Sequence, residues 1–149
     1  VAVQFFAFTC YGKAEPQGSA SAYYVASLGR AVVTSANKAN KGWRRDVAYS
    51  ALEALKGTGL APPAWPTGPV LLRVQFYLPR PKYIRDTLPP HLAPPDLDKL
   101  VRSVGDALKG IAWGDDKQVT EIEASKHYAA PGVRPHVHVR VISIPTPAL

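Results

Sequence analysis

Apolar and polar residues alternate along four stretches of the chain, the two-residue period of a strand with one covered face. In the first, Val3, Phe5 and Ala7 share a side; in the second, Val70, Leu72, Val74, Phe76 and Leu78 share one, with Arg73 and Gln75 opposite. The third covers residues 119–126, where Ile122, Ala124 and Lys126 have one parity and Glu121 and Glu123 the other. In the last, Val137, Val139 and Val141 oppose His136, His138 and Arg140, the histidines reading as solvent-facing. Two further stretches repeat with helical period. Over 41–56, Trp43, Val47, Ala51, Ala54 and Leu55 form one stripe, with Asn40 as N-cap and Gly57 as the stop. Over 96–109, Leu97, Leu100, Val101, Val104 and Leu108 do the same, continued by Ile111. Gly110 closes this helix, and Pro94 and Pro95 forbid an earlier start. The order strand, loop, helix, strand, loop, helix, strand, strand predicts an α+β fold, a mixed β-sheet of about four to five strands with two main helices packed on it.

The remaining sequence is punctuation. Fifteen prolines concentrate in loops, and residues 79–95 have no periodicity, a length that points to function rather than mere connection. No repeat or linker divides the chain, so one domain over residues 1–149 is expected. A composition of 46% hydrophobic and 19% charged residues excludes a disordered or coiled-coil chain, and no apolar run approaches the roughly 20 residues that span a bilayer. The single cysteine, Cys10, cannot form an internal bridge and has no histidine partner at informative spacing. The apolar first ten residues alternate like a strand and lack the basic start of a signal peptide; the missing initiator Met reads as a trimmed start, and a cytoplasmic protein is expected.

Charge changes the picture once it is mapped. The net charge is +7, yet five of the 11 acids, Asp96, Asp98, Asp106, Asp115 and Asp116, fall between positions 96 and 116. The rest of the chain holds 18 basic against six acidic residues, a balance of +12. A basic body attracts polyanions, and a carboxylate cluster inside it is costly unless a cation or proton relieves the repulsion. Together these point to a metal-dependent enzyme acting on nucleic acid.

Each acid also has an ordinary explanation. Asp96 and Asp98 flank a helix start, where the dipole favours carboxylates by about 0.3 to 1 kcal/mol. Asp98, Arg102 and Asp106 are spaced i, i+4, i+8 and would form an ion ladder, and Gly114, Asp115 and Asp116 fit a turn. Capping explains the acids singly; a metal site explains them jointly, provided the chain folds back to bring Asp115 and Asp116 near Asp96 and Asp98. Hard divalent ions take oxygen ligands, and one or two of them activate water and stabilise the leaving oxygen in phosphodiester hydrolysis.

The run PDLDKLVRSVGDALKG, then WGDDKQV, then a strand containing Lys126 resembles the RusA-type Holliday junction resolvases, over about residues 69–142 and more weakly through YGKAEPQGS and KGWRRDV. The resemblance implies a RusA-like fold and a Mg²⁺-dependent homodimer, with Mn²⁺ as substitute, that nicks four-way junction DNA symmetrically, an activity frequent in phages and prophages of bacterial hosts. It makes Asp96, Asp98 and Asp116 the catalytic metal ligands, with Asp115 beside them. Two departures stand out. Lys99 occupies a position that is usually Asn in the family, and Arg102 one that is usually a functional Lys. Arg keeps the charge and grips a phosphate with two hydrogen bonds but does not give up a proton, so electrostatic stabilisation is expected from Arg102, with Lys126 assisting.

Other basic residues complete the expected DNA-binding set. Lys41, Arg44 and Arg45 lie at a helix start, where stability does not explain cations, and Lys38 and Arg30 extend the patch. Arg80, Lys82 and Arg85, with Tyr83 between, sit in the long loop leading to Asp96, and Lys99 follows the first acid pair. The expected function is therefore a structure-selective endodeoxyribonuclease; the rival is a basic, non-catalytic junction-binding protein of phage origin whose acids are purely structural.

Overall fold

The computed structural model describes residues 3–18, 20–35, 38–59 and 66–149. Trp65, in the proline-rich loop after the first helix, lies outside the described residues. The elements in chain order are β1 (Val3–Tyr11), β2 (Ala20–Val25), β3 (Arg30–Ser35), α1 (Asn40–Gly57), β4 (Val70–Leu78), α2 (Leu97–Leu108), β5 (Val119–Tyr128) and β6 (His136–Ser143). β1, β6, β4 and β5 form one mixed sheet in that order, and β2 and β3 form a separate antiparallel hairpin. This is the expected α+β architecture, a mixed sheet with two main helices packed on it.

β4 is hydrogen-bonded on both sides, antiparallel to β6 and parallel to β5. Its alternation holds: Val70, Leu72, Val74, Phe76 and Leu78 are all buried. Parallel neighbours need a crossover, and α2 supplies it, making β4, α2 and β5 one βαβ unit in which the helix runs against both strands. α1 buries Trp43, Val47, Ala51 and Leu55, and α2 buries Leu100, Ser103, Val104, Ala107 and Leu108; both helices cover the same sheet face, over one continuous core. No helix among the described residues is long and apolar enough to cross a membrane.

Four local expectations are corrected. In β1 it is Phe6, Phe8 and Cys10 that face the core, and Ala7 is exposed. A register shift between Gln4 and Phe6 displaces the pattern by one residue, which exchanges the two faces of a strand. Asn40 does not cap α1: the N-cap is Ala39, while Asn40 is buried and its Nδ2 donates to Ser103 Oγ (2.6 Å) and to the Glu15 carbonyl (3.3 Å). It joins α1, α2 and the segment after β1 through one polar node. His136 is buried rather than solvent-facing, stacked on Tyr77 with its Nδ1 bonded to the Arg134 carbonyl, whereas His138 is exposed. Finally, β2 and β3 lie where the sequence reading had a loop; Gly29, at φ +62°, turns between them.

Candidate active site

α2 starts at the only place the sequence permits. Pro94 and Pro95 lie in a bend, Asp96 takes the N-cap position with φ −67° and ψ 139°, and the helix begins at Leu97. The Asp96 carboxylate makes no capping hydrogen bond; its nearest cation is Lys99 Nζ at 4.0 Å. One turn further, Asp98, Arg102 and Asp106 follow at four-residue spacing on an exposed stripe, opposite the stripe that buries Leu100, Val104 and Leu108. The expected ladder does not form, since none of the three makes an ion pair within 4.0 Å among the described residues.

The turn after α2 is rigid. Trp113 is buried, and its Nε1 donates to Asp116 Oδ1 at 3.0 Å, so one oxygen of that carboxylate is fixed by the core. Asp115 caps the short 3₁₀ turn Asp116–Gln118: its Oδ1 accepts from Lys117 N, while Gln118 Oε1 accepts from Gly114 N and Asp115 N. Gln118 Nε2 also donates to the carbonyls of Pro66 and Gly68, clamping the turn to the segment that enters β4. Asp115 and Asp116 are thus adjacent in sequence and different in use.

Because α2 runs against β5, the groove between them pairs late α2 with early β5 and early α2 with late β5. At one end, Arg102, Asp106 and Asp116 line a concavity of about 410 Å³ whose apolar lining includes Leu72, Val101 and Ile122. At the other, Lys126 Nζ donates to the carbonyls of Ala93 (2.8 Å) and Pro95 (2.9 Å), holding the segment that presents Asp96. Asp96 and Asp98 do not line the concavity; Asp98 continues its helical stripe about 6 Å along the axis from Arg102. The fold-back brings Asp116 to the groove that Arg102 and Asp106 line, and brings Lys126 to the segment that leads into Asp96. Among the described residues no three His, Cys, Asp or Glu side chains gather closely enough to hold a metal ion.

The helix start is braced from the other side as well. Gln17 N donates to the Lys99 carbonyl at 3.0 Å, laying the segment after β1 across the first turn of α2. Of the basic residues, Lys41, Arg45, Lys82 and Arg85 are exposed, and Arg44 is half-buried with its Nε enclosed and unpartnered. Arg80 is drawn into its own loop, with Nε donating to the Ile84 carbonyl and Nη2 to those of Arg85 and Thr87. It shapes the loop on which Lys82, Tyr83 and Arg85 stand free. Cys10 is buried in the core, and burial pushes its thiol up, away from the nucleophilic thiolate.

Three site residues escaped the sequence reading. Asp106 entered only as one of the clustered acids and a rung of the ion ladder, although its spacing from Arg102 already put it on the same stripe. Gln118 could have been found, because Asp115-x-x-Gln118 is a capping-box pattern. The hold of Trp113 on Asp116 had no readable signal, since an indole in the core looks the same whether or not its N–H has an acceptor.

The chain is 33% identical over 85 residues to the uncharacterized protein YqaN of Bacillus subtilis (strain 168), a match covering 50% of this chain and 58% of that relative. The family model described as endodeoxyribonuclease RusA matches residues 13–142, a span that includes every acid of the α2 and β5 groove. The chain belongs to the RusA endodeoxyribonuclease family.

Proposed function

We propose that this chain is a structure-selective endodeoxyribonuclease that nicks four-way DNA junctions in symmetric pairs, acting as a homodimer with Mg²⁺, or Mn²⁺ in its place. The observation that carries the reading is that Asp96, at the N-cap position, makes no capping hydrogen bond and that Asp98 and Arg102 make no ion pair within 4.0 Å among the described residues, so beyond the weak pull of the helix dipole neither a capping bond nor an ion ladder accounts for them. A two-fold dimer follows from the substrate, which has two equivalent strands to cut.

The donor set fits the ion. Asp96 and Asp98 offer hard carboxylate oxygens, and Mg²⁺ is commonly held by one or two carboxylates with waters and substrate phosphate completing the shell. The cation supplies Lewis-acid polarisation of the phosphodiester. The chain's own residues do the rest. Arg102 grips the scissile phosphate by two parallel hydrogen bonds and stabilises the charge that builds on it. Asp116, steadied by the Trp113 indole, accepts a hydrogen bond from the attacking water and takes its proton as the new P–O bond forms and the strand oxygen leaves. Lys126 positions Asp96 through the carbonyls of Ala93 and Pro95.

A second reading, junction binding without cutting, is favoured by one observation: among the described residues no three His, Cys, Asp or Glu side chains form a group that could hold a metal ion. One assay separates them. A labelled synthetic four-way junction and a linear duplex are incubated with the protein in Mg²⁺ or in Ca²⁺. Paired nicks in the junction alone, and only with Mg²⁺, are expected. Asp96→Asn, Asp98→Asn and Asp116→Asn should each slow nicking by about 100-fold or more while junction binding in Ca²⁺ persists. Binding with no nicks under any divalent cation establishes the second reading.

A further inference from the structure

We propose that a cavity of about 630 Å³ at the far end of β5 receives one unstacked base of the DNA strand being cut, an inference that rests on the nuclease reading above. The cavity is lined by Tyr77, His91, Lys126, His127, Tyr128 and His136, with Leu88 and Val133 among the apolar residues around it. Its aromatic groups lie in two sets. Tyr77 stacks against His136 with ring centroids 4.6 Å apart at 14°, and against His127 at 5.3 Å and 26°. His91 and Tyr128 form the other set, 4.3 Å apart and tilted by 41°. Flat rings bordering a cavity of this size suit a planar guest, and bases of every identity have a face that stacks on them.

The cavity wall also includes an enclosed imidazole. His91 is only 8% exposed. Burial first, and then the charge of Lys126, hold its imidazole below the usual range, so at neutral pH the ring is uncharged, with one nitrogen donating and one accepting. The edge of a nucleobase offers the complementary groups. Metal is a poorer guest, since no three ligating side chains converge among the described residues.

Position identifies the occupant as part of the DNA rather than a free metabolite. Lys126 lines this cavity and bonds to the carbonyls of Ala93 and Pro95, the residues leading into Asp96, so cavity and acid pair are joined through a single side chain. Lys126 gives the lining a positive charge, the sign that a phosphate strand seeks, on a chain that is +7 overall. A paired base in a continuous duplex cannot enter. A base at the exchange point of a four-way junction has already lost a stacking neighbour, so its extrusion costs least there. The cavity thereby supplies a reason for structure selectivity that the acids alone do not.

The test combines substrate and protein changes. Four-way junctions carrying one abasic site, moved in turn through the positions flanking the crossover, are assayed with wild type, Tyr128→Leu and His91→Gln, for affinity in Ca²⁺ and nicking in Mg²⁺. One abasic position should weaken wild-type binding or nicking by about 10- to 100-fold. At that position the variants should lose nothing further, whereas on the intact junction they show the same deficit. Indifference of wild type to every abasic position overturns the proposal even if a variant folds poorly, and so does a deficit that multiplies with each variant's own. A protein that nicks intact junctions yet ignores abasic sites loses the cavity and keeps the nuclease reading. If no junction is nicked, the nuclease reading falls and the Ca²⁺ binding arm still decides the cavity.

Discussion

Trp113 and Asp116 show how a single contact decides what a carboxylate is for. Asp115 accepts from its own turn and closes it; Asp116 accepts from the core and turns to the groove. Trp113→Phe keeps an aromatic ring in the core while removing the N–H donor together with the pyrrole half of the indole, so its effect combines lost packing with a released Asp116 carboxylate. We expect a stability loss of about 1 to 3 kcal/mol by urea titration. Nicking should fall by about 10- to 100-fold with little change in junction affinity, because a loosely held group misplaces the water it orients. The indole also reports on its neighbour: the difference in tryptophan emission between wild type and Trp113→Phe should change on adding Mg²⁺ if Asp116 joins the ion, and stay constant if Asp96 and Asp98 hold it alone. At this scale the sequence singled out the carboxylates but was a poor guide to what each side chain touches. The acids stood out because five carboxylates in a basic chain are electrostatically costly. The buried Asn40 to Ser103 bond and the tether from Lys126 were invisible, being accidents of which residues meet across elements distant in sequence.

Among elements, α2 and β4 were the most legible and β1 the least. α2 buries one stripe against a continuous core, so its period of 3.6 is enforced by packing, and β4 lies in the sheet interior with one face under both helices. β1 was read with the wrong face inward because one irregular residue shifts a period of two completely, and no side chain announces the shift. The β2 and β3 hairpin, a two-stranded sheet separate from the main one, went unread because neither of its strands has a sustained alternation of apolar and polar residues. The loop before α2 carries a pH response. The imidazole of His91 is held below its ordinary value of 6.5, as is that of His138, by burial first and neighbouring positive charge second. The folded state therefore binds fewer protons than the unfolded chain, and the stability contributed by the neutral rings is present above about pH 6.5 and lost as the pH falls below it. Urea midpoints should decline from pH 7 to pH 5.5, and His91→Gln should flatten part of that decline.

For the whole molecule, charge was fully legible and its arrangement partly so. Junction affinity should fall steeply with salt, and the double change Lys82→Ala with Arg85→Ala should reduce the slope of log affinity against log salt by about 2, close to one unit for each phosphate contact removed. Titrations at several salt concentrations measure it; an unchanged slope would show that the loop stands off the DNA. The parallel pairing of β4 with β5 through α2 was not legible, because alternation gives the faces of strands but never their order, and that pairing is what sends Asp116 to the groove that Arg102 lines and Lys126 to the segment that leads into Asp96. The antiparallel pairing of β1 with β6 sets Val3 opposite Ser143, so the first and last strands of the fold are neighbours. A peptide link across that gap would close the polypeptide into a ring, which could then be opened at the exposed 3₁₀ turn Ala26–Leu28 of the hairpin. Such a circular permutant should melt within a few degrees of the parent and retain its nicking pattern, because the new ends would lie on the one pair of strands that the main sheet does not use.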